Sequence, residues 1–592
     1  MKLQVALLAI LTVYTVRAAE PLVNPIDPYA QLRAAYAARD SALAAAAYTP
    51  DALLIYRYGE PADVHRGGDE IRRSFAAFFS QIDANLPLDL NFRIQSRQVS
   101  NESVVESGVY RLRVGKSQAS FGRFNVTRDL SASGAGRFQS DISTSATRSD
   151  FERAHGPVLL AATSERLDSS FYGRLTGRYQ LDNGCTLIVT QSFVRLFARN
   201  NCTQQWRGLT RVAGGVWTAG DQVLSDTVSA TFRFEIAEDD ATFANAVRIE
   251  VDGESQRAVR LDSYTRIPVS FQGSGGVVLA GDLYRPAARA GGVATVLIHG
   301  SGEQDRNGYA SIMAVMADDL AAAGHVVLTY DKRGAGLSSG DWRIASFSLL
   351  AEDATAALAY LRSQPETDAA RVGLAGSSQA GWVIARAIER GARPAHVYLL
   401  GAAGAALSVA EQNLYNTRVR MQCAGIGAAD IELALAQQRL FLEYVRTRGN
   451  ATQLDALTQR ASARPDLADW LFPNSQQINF DEGNWFTTLE TDFDPLPVWR
   501  RYTGRGLFVF SEFDDSTPTE LIIKRLQKTA ASSGGRLQIR RLENAQHIGL
   551  RASSLCAADL SDSAAFAPDF PQSLRDFAAS AMSQSPSKTP DP

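Results

Sequence analysis

Histidine and cysteine are scarce in this 592-residue chain, with six of the first and four of the second. None of them stands at spacings that hold zinc, so no metal is expected, and no motif asks for an organic cofactor. A surplus of either charge is missing too. The 60 Lys and Arg face 63 Asp and Glu, a net charge of −3, which leaves no electrostatic footprint for nucleic acid. Lysine is rare against arginine, a bias read as genomic rather than functional. Beyond residue 19 no apolar run is long enough to cross a membrane. No four-strand blade repeat is visible, which argues against a propeller. What is there is ordinary for a folded protein, 45% apolar and 21% charged, over a length that suggests two to four domains.

The one long apolar run is at the start. Residues 1–19 carry Lys2, an apolar core over 3–16, and small residues around Ala18 and Ala19. This predicts a secretory signal peptide, with an uncleaved anchor as the competing reading. Export implies a secreted or periplasmic protein with no membrane span after cleavage, where disulfides are permitted. Four cysteines allow three connectivities. Cys185 and Cys202 flank two strand-like runs that a hairpin would bring face to face, so that pair is preferred, leaving Cys423 with Cys556. Four free thiols stay open as the alternative.

The chain is organised around residues 371–390. An apolar run over 372–375 breaks at Gly376, turns through Ser377, Ser378 and Gln379, and becomes helical from Ala380. That is the pattern of a nucleophile elbow. The turn strains the nucleophile, so the residues two before and two after it must be small. Ser378 satisfies this with Gly376 and Ala380, whereas Ser377 would place Gln379 there. Ser378 is the expected nucleophile, although Ala380 stands where glycine is usual.

Elimination then selects a histidine. His65 and His155 fall upstream, while His299, His325 and His396 lie at strand ends and read as structural. His547 remains, in a loop after the strand 537–542. The strand 506–510 runs into a loop where Asp514 is the expected acid, with Asp515 and Glu512 open as neighbours. The residue types fit one chemistry. A serine hydroxyl needs a histidine to take its proton, and a carboxylate fixes the tautomer of that histidine. The oxyanion that forms needs preorganised N–H donors. One is expected from the backbone of Gln379 at a helix N-terminus, the other from the Gly-rich loop after 294–299, with Ser301 favoured and Gly302 next.

Five motifs in this order, LIHGSGEQDRNG, VVLTYDKRGAGLSSGDW, VGLAGSSQAGW, FVFSEFDDSTP and ENAQHIGL, resemble the serine esterases of the α/β-hydrolase superfamily, in the dienelactone-hydrolase-like group. The resemblance spans about 266–580. It implies a triad of Ser378, Asp514 and His547, an oxyanion donor at Ser301, and a structural role for Asp331, Arg333 and Gly334. Independently, strands alternating with helices from residue 294 onward predict an α/β class with a mostly parallel sheet and active residues at the carboxyl ends of its strands.

Two smaller regions precede it. Residues 28–150 predict an α+β domain, with helices over 28–47 and up to Phe79, then strands over 90–99, 104–114, 121–130 and 137–144. The pieces YTPDALLIY, RGGDEIRRSFAAFF and GRFQSDISTS resemble the SnoaL/ketosteroid-isomerase-like cone. That resemblance implies a scaffold or homodimer contact, or an acid/base site for which Asp40, Tyr56 and His65 are candidates. Residues 165–265 predict a small β-barrel or sandwich and resemble the little barrel appended to some β-lactamase-like serine hydrolases. Its aromatics, among them Tyr179, Phe197, Trp206 and Trp217, read as core. Between 401 and 505 an insertion of helices (409–425, 428–448, 452–461) is followed by Trp470, Phe472, Trp485, Phe486, Phe493 and Trp499. As a cap over Ser378, its aromatics are expected to line the acyl or alcohol pocket, or else to pack cap onto core. Residues 583–592 read as a disordered tail.

The reading that gathers these is an exported serine hydrolase, a carboxylesterase for small or medium acyl esters of a small molecule. A peptidase, amidase or thioesterase with the same triad is the alternative. A non-catalytic scaffold with a vestigial hydrolase domain is the reading from another class.

Overall fold

The structure, a computed structural model, describes residues 28–583 apart from 58–61, 100–102, 116–117, 132–135, 147–149, 152–168, 193–194, 212–214, 224, 226–227, 237–242, 252, 289–290, 465–466, 468–469, 479, 481–489, 558–559 and 561. The signal peptide expected at 1–19, His155, Trp485, Phe486 and the tail beyond Ser583 lie outside the described residues. The chain divides into two compact units, residues up to 115 with 120–154, and 116–119 with 155 onward.

The first unit is built on a six-stranded sheet of β1 (Tyr48–Arg57), β2 (Asp63–Arg66), β3 (Leu88–Val99), β4 (Ser103–Val114), β5 (Gln118–Asp129) and β6 (Phe138–Ser145). The strand order is β2-β1-β6-β5-β4-β3. Ile71, Phe75 and Phe79, four residues apart, give the helix Gly67–Ser80 its buried face. The single helix expected over 28–47 is two. Arg39 takes a left-handed φ of 54°, and Asp40 caps the second helix by accepting the N–H groups of Ala42 and Leu43, each at 2.9 Å. That carboxylate serves as a cap, and Asp40 is not among the residues that line the cavity at Tyr56 in this unit. His65 lies 3.1 Å from Asp63. Tyr56 lines a cavity of about 40 Å³ whose acid is Asp141, a residue the sequence reading passed over. Tyr48 donates to Asp141 at 2.7 Å, and burial pushes that carboxyl up to about 6.

In the second unit, β7 (Gly177–Gln180), β8 (Thr186–Ser192), β9 (Arg195–Asn200), β10 (Trp206–Arg211), β11 (Val216–Ala219), β12 (Ala230–Ile236), β13 (Ala244–Val251) and β14 (Glu254–Leu261) close into a barrel. Leu187, Tyr179, Trp217 and Phe232 fill it. Trp206 instead stacks between Phe197 and Phe566, 4.8 Å from each, and so belongs to the contact between barrel and main sheet. Arg178 and Arg199 add charge pairs to Asp318 and Asp319 of the helix Ile312–Ala322, at 2.7 and 2.9 Å. Cys185 and Cys202 are bonded, as are Cys423 and Cys556.

The main sheet has eight strands, β15 (Tyr264–Gln272), β16 (Val278–Pro286), β17 (Ala294–Ile298), β18 (Val326–Tyr330), β19 (Val372–Ser377), β20 (His396–Leu400), β21 (Arg505–Ser511) and β22 (Leu537–Leu542). Their order is β15-β16-β18-β17-β19-β20-β21-β22. The first three pair antiparallel and the rest parallel. Strands β17, β18 and β20 are buried along their whole length, as a sheet covered by helices on both faces demands. Inside it, Thr295 Oγ1 lies 3.1 Å from His325 Nδ1 and 3.0 Å from His396 Nε2. Burial pulls these rings down to about 4 and about 3, so both are neutral members of the core.

The insertion after β20 carries the helices Val409–Cys423, Ala428–Thr447 and Ala451–Ser462. It has small cores of its own, one around Met421, Ile431 and Leu435, the other around Phe441, Leu454 and Ile478. Phe472 packs on Phe441 at 4.8 Å. Trp499 corrects the pocket-lining expectation. It is fully buried, donates Nε1–H to Gly404 O at 3.0 Å, and stands 5.0 Å from Phe508 of β21. Phe493 joins the same core. By residue 493 the chain has returned to the main sheet, so these two aromatics pack the sheet and not a pocket. Trp499→Ala is therefore expected to destabilise the protein by about 3–5 kcal/mol in denaturant unfolding while the acyl-length preference stays as it was. A shifted preference at unchanged stability would contradict the assignment.

Candidate active site

The elbow is dictated by steric limits. Strand β19 ends at Ser377, and the next residue, Ser378, takes a φ of 55°, a left-handed conformation that costs a non-glycine residue roughly 1–3 kcal/mol. Its N–H donates to Leu400 O at 2.9 Å, and the helix Ala380–Glu389 starts two residues on. A Cβ on Gly376 would stand 2.4 Å from Ala380 Cβ and 2.5 Å from Ile298 O. Gly376 is thus required, and its missing side chain is what admits an alanine at 380. Ser377 stays within the strand and is buried.

Asp514 lies in the loop after β21 with its side chain fully buried. Its Oδ1 accepts the N–H groups of Ser516 and Thr517 at 2.9 and 2.8 Å, and both its oxygens lie 2.9 Å from His547 Nδ1. The two other carboxylates left open are engaged elsewhere. Asp515 pairs with Arg420 at 3.1 Å, and Glu512 with Arg541 at 3.1 Å. His547 follows β22 and keeps 19% of its side chain exposed, enough to meet a substrate. Burial pulls its pKa down, but the charge and hydrogen bond of Asp514, with Asp515 behind, outweigh that and hold it above the ordinary histidine value. Gly401, at the end of β20 with a φ of 56°, is the floor under this loop. A Cβ there would fall 2.5 Å from His547 O.

The loop after β17 approaches from the other side. A Cβ on Gly300 would be 3.6 Å from Ser378 Cβ. Gln304 accepts the Gly300 N–H at 3.2 Å and donates to Ser301 O at 2.8 Å. Lys332 donates to Gly300 O and Gly302 O at 2.5 and 2.7 Å. Among the described residues the backbone N–H groups of Ser301 and Gln379 have no protein acceptor. His299 is buried, with a ring nitrogen on Tyr330 O, and burial together with Lys332 pulls it down to about 3. Asp331 receives Arg306 and Arg333 pairs with Asp353, each at 2.7 Å, so both act as braces of these loops.

The first helix of the insertion grips the loop of Asp514, a contact that no local motif announces. Gln412, Tyr415, Asn416 and Arg420 lie on one face of Val409–Cys423 and hold the loop that carries Asp514. Tyr415 donates to Asp514 O at 2.9 Å, Gln412 to Ser516 O at 3.0 Å, and Asn416 to Asp515 O at 3.4 Å. The same helix ends at Cys423, bonded to Cys556 beyond His547. The spacing of Gln412, Asn416 and Arg420, four apart with Tyr415 beside them, was the available signal.

A family model for the S15 X-Pro dipeptidyl-peptidases matches residues 275–485, a stretch that takes in Gly300, Ser378 and the three helices of the insertion and ends before Asp514. No curated protein matches the chain. Among solved structures, an esterase from Pyrococcus furiosus is similar at 12% identity, covering 54% of this chain and 92% of that one, with a TM-score of 0.34. A thermophilic esterase from Thermogutta terrifontis is similar at 16% identity over 54% of this chain and 100% of that one, TM-score 0.32. Carboxyl esterase 2 from Tuber melanosporum stands at 17%, 54% and 88%, TM-score 0.30. The order of the main sheet, three antiparallel strands leading into a parallel run, and the tight turn from β19 into the helix Ala380–Glu389 make the C-terminal part of this chain an α/β-hydrolase fold.

Proposed function

We propose that the chain is an exported serine hydrolase that cleaves carboxylic esters through an acyl-enzyme. The observation that carries this reading is the pairing of His547 Nδ1 with both oxygens of buried Asp514, 2.9 Å each, on loops following strands of the sheet that also presents Ser378 at positive φ. In this reading His547 Nε2 takes the Ser378 proton as Oγ attacks the acyl carbon, then gives it to the leaving alcohol. Asp514 keeps the Nδ1 proton in place and offsets the imidazolium charge. The developing oxyanion takes the N–H groups of Ser301 and Gln379. Water, deprotonated by the same nitrogen, then releases the acid and restores Ser378. Export is supported by the composition of residues 1–19 and by the two disulfides.

A second reading, a peptidase, is favoured by the family match over 275–485. The test sets p-nitrophenyl esters of rising acyl length against alanyl-prolyl p-nitroanilide. The esterase reading expects ester turnover and little anilide cleavage. An anilide kcat/KM that equals the best ester would turn the assignment to the peptidase.

The base must be neutral to accept a proton, and His547 is held above the ordinary value of 6.5. The kcat/KM is accordingly expected to rise with pH and to level off only above that value. An acidic limb with its midpoint at or below 6.5 would count against His547 as the base.

A further inference from the structure

Lys332, in the loop after β18, is 4% exposed, in a chain that holds six lysines in all. Among the described residues no carboxylate pairs with it, and its neighbour Asp331 is taken by Arg306. Its three N–H bonds find three acceptors instead, Gly300 O at 2.5 Å, Gly302 O at 2.7 Å and Gln379 Oε1 at 3.3 Å. Two of these belong to the loop of Ser301, and the third to the residue that follows Ser378. In a trans peptide the C=O and N–H point opposite ways, so drawing Gly300 O toward Lys332 turns the Ser301 N–H away from it. On the proposed reading of the site, that is the N–H the oxyanion uses.

We propose that Lys332 is a positioning residue of the oxyanion hole, its ammonium joining the loop of Ser301 to the elbow of Gln379 so that their two free N–H groups are held in one arrangement. An ammonium buried without an anion is costly. An apolar side chain of equal length would avoid that cost. The lysine brings the three hydrogen bonds that such a side chain could not make.

Lys332→Met keeps the length and removes the donors. The expected result is a fall of roughly 10²-fold in kcat on a p-nitrophenyl ester, with KM moving by less than about threefold. A second readout separates positioning from mere support of the fold. A trifluoromethyl ketone, which Ser378 converts to an anionic hemiketal, should lose affinity by the same factor, while the plain methyl ketone of equal shape binds as before. Lys332→Gln, shorter and with two N–H groups, is the second variant should the first fail to fold, and a smaller loss on the same readouts is expected. Full kcat in the variants, or equal weakening of both ketones, overturns the proposal. A wild type that reacts with a fluorophosphonate at Ser378 while Lys332→Met keeps its kcat sinks this inference alone. A wild type that does not react sinks the reading of the site and this inference with it.

Discussion

Ser378→Ala and His547→Ala are each expected to remove ester hydrolysis by a factor on the order of 10⁶, and the double variant to lose no more than either single one. In the proposed mechanism the hydroxyl and the ring act in one step. Without the ring, the hydroxyl stays protonated and is a poor nucleophile; without the hydroxyl, the ring has no proton to take. Neither substitution should unfold the protein. Ser378 takes a φ of 55°, which alanine tolerates no worse than serine, and His547 keeps part of its side chain in solvent. Losses that multiply in the double variant would show two independent contributions and would dissolve the proposed dyad. Residual activity after either change should match what the oxyanion N–H groups and substrate binding supply alone.

Asp514→Asn is expected to lower kcat by about 10⁴-fold. Oδ1 of Asp514 already accepts two backbone N–H groups, from Ser516 and Thr517, so the amide oxygen must take that place. The amide NH₂ then points at His547 Nδ1, which has to become an acceptor. The ring proton moves to Nε2, the nitrogen that should be free to take the serine proton. The fold survives while the tautomer is wrong. Asp515→Asn and Glu512→Gln change ion pairs with Arg420 and Arg541 and should each stay within about tenfold of wild type, since no charge on the ring's own hydrogen bond is lost. A large loss from Asp515→Asn with a small one from Asp514→Asn would reverse the assignment.

What the sequence could announce was local. The elbow is a steric rule over five residues, and the contacts a Cβ on Gly376 would make are the rule in atomic form. The parallel strands were legible because strands buried on both faces are written as unbroken apolar runs. The choice among Glu512, Asp514 and Asp515 was not local. Three carboxylates within four residues differ only in where the turn aims them, and that is decided by Arg420 and Arg541, far off in sequence. Trp499 looked like a cap aromatic because it lies within the bounds 401–505 expected for the insertion, but nothing in its own neighbourhood says where the chain rejoins the sheet. Asp40 was masked by an Ala-rich stretch whose propensity favours an unbroken helix, and only the left-handed Arg39 shows the break. Lys332 is the extreme case, since its partners lie up to 47 residues away and are mostly backbone carbonyls, which leave no signature in sequence.

On the proposed reading, Ser378 is a nucleophile activated by its surroundings. The direct measurement is to treat the disulfide-intact protein with a fluorophosphonate and locate the adduct by peptide mass spectrometry. One phosphonylated residue is expected, Ser378, with labelling slowed to background in His547→Ala. An adduct on Ser377, or no adduct on a folded protein, would contradict that reading.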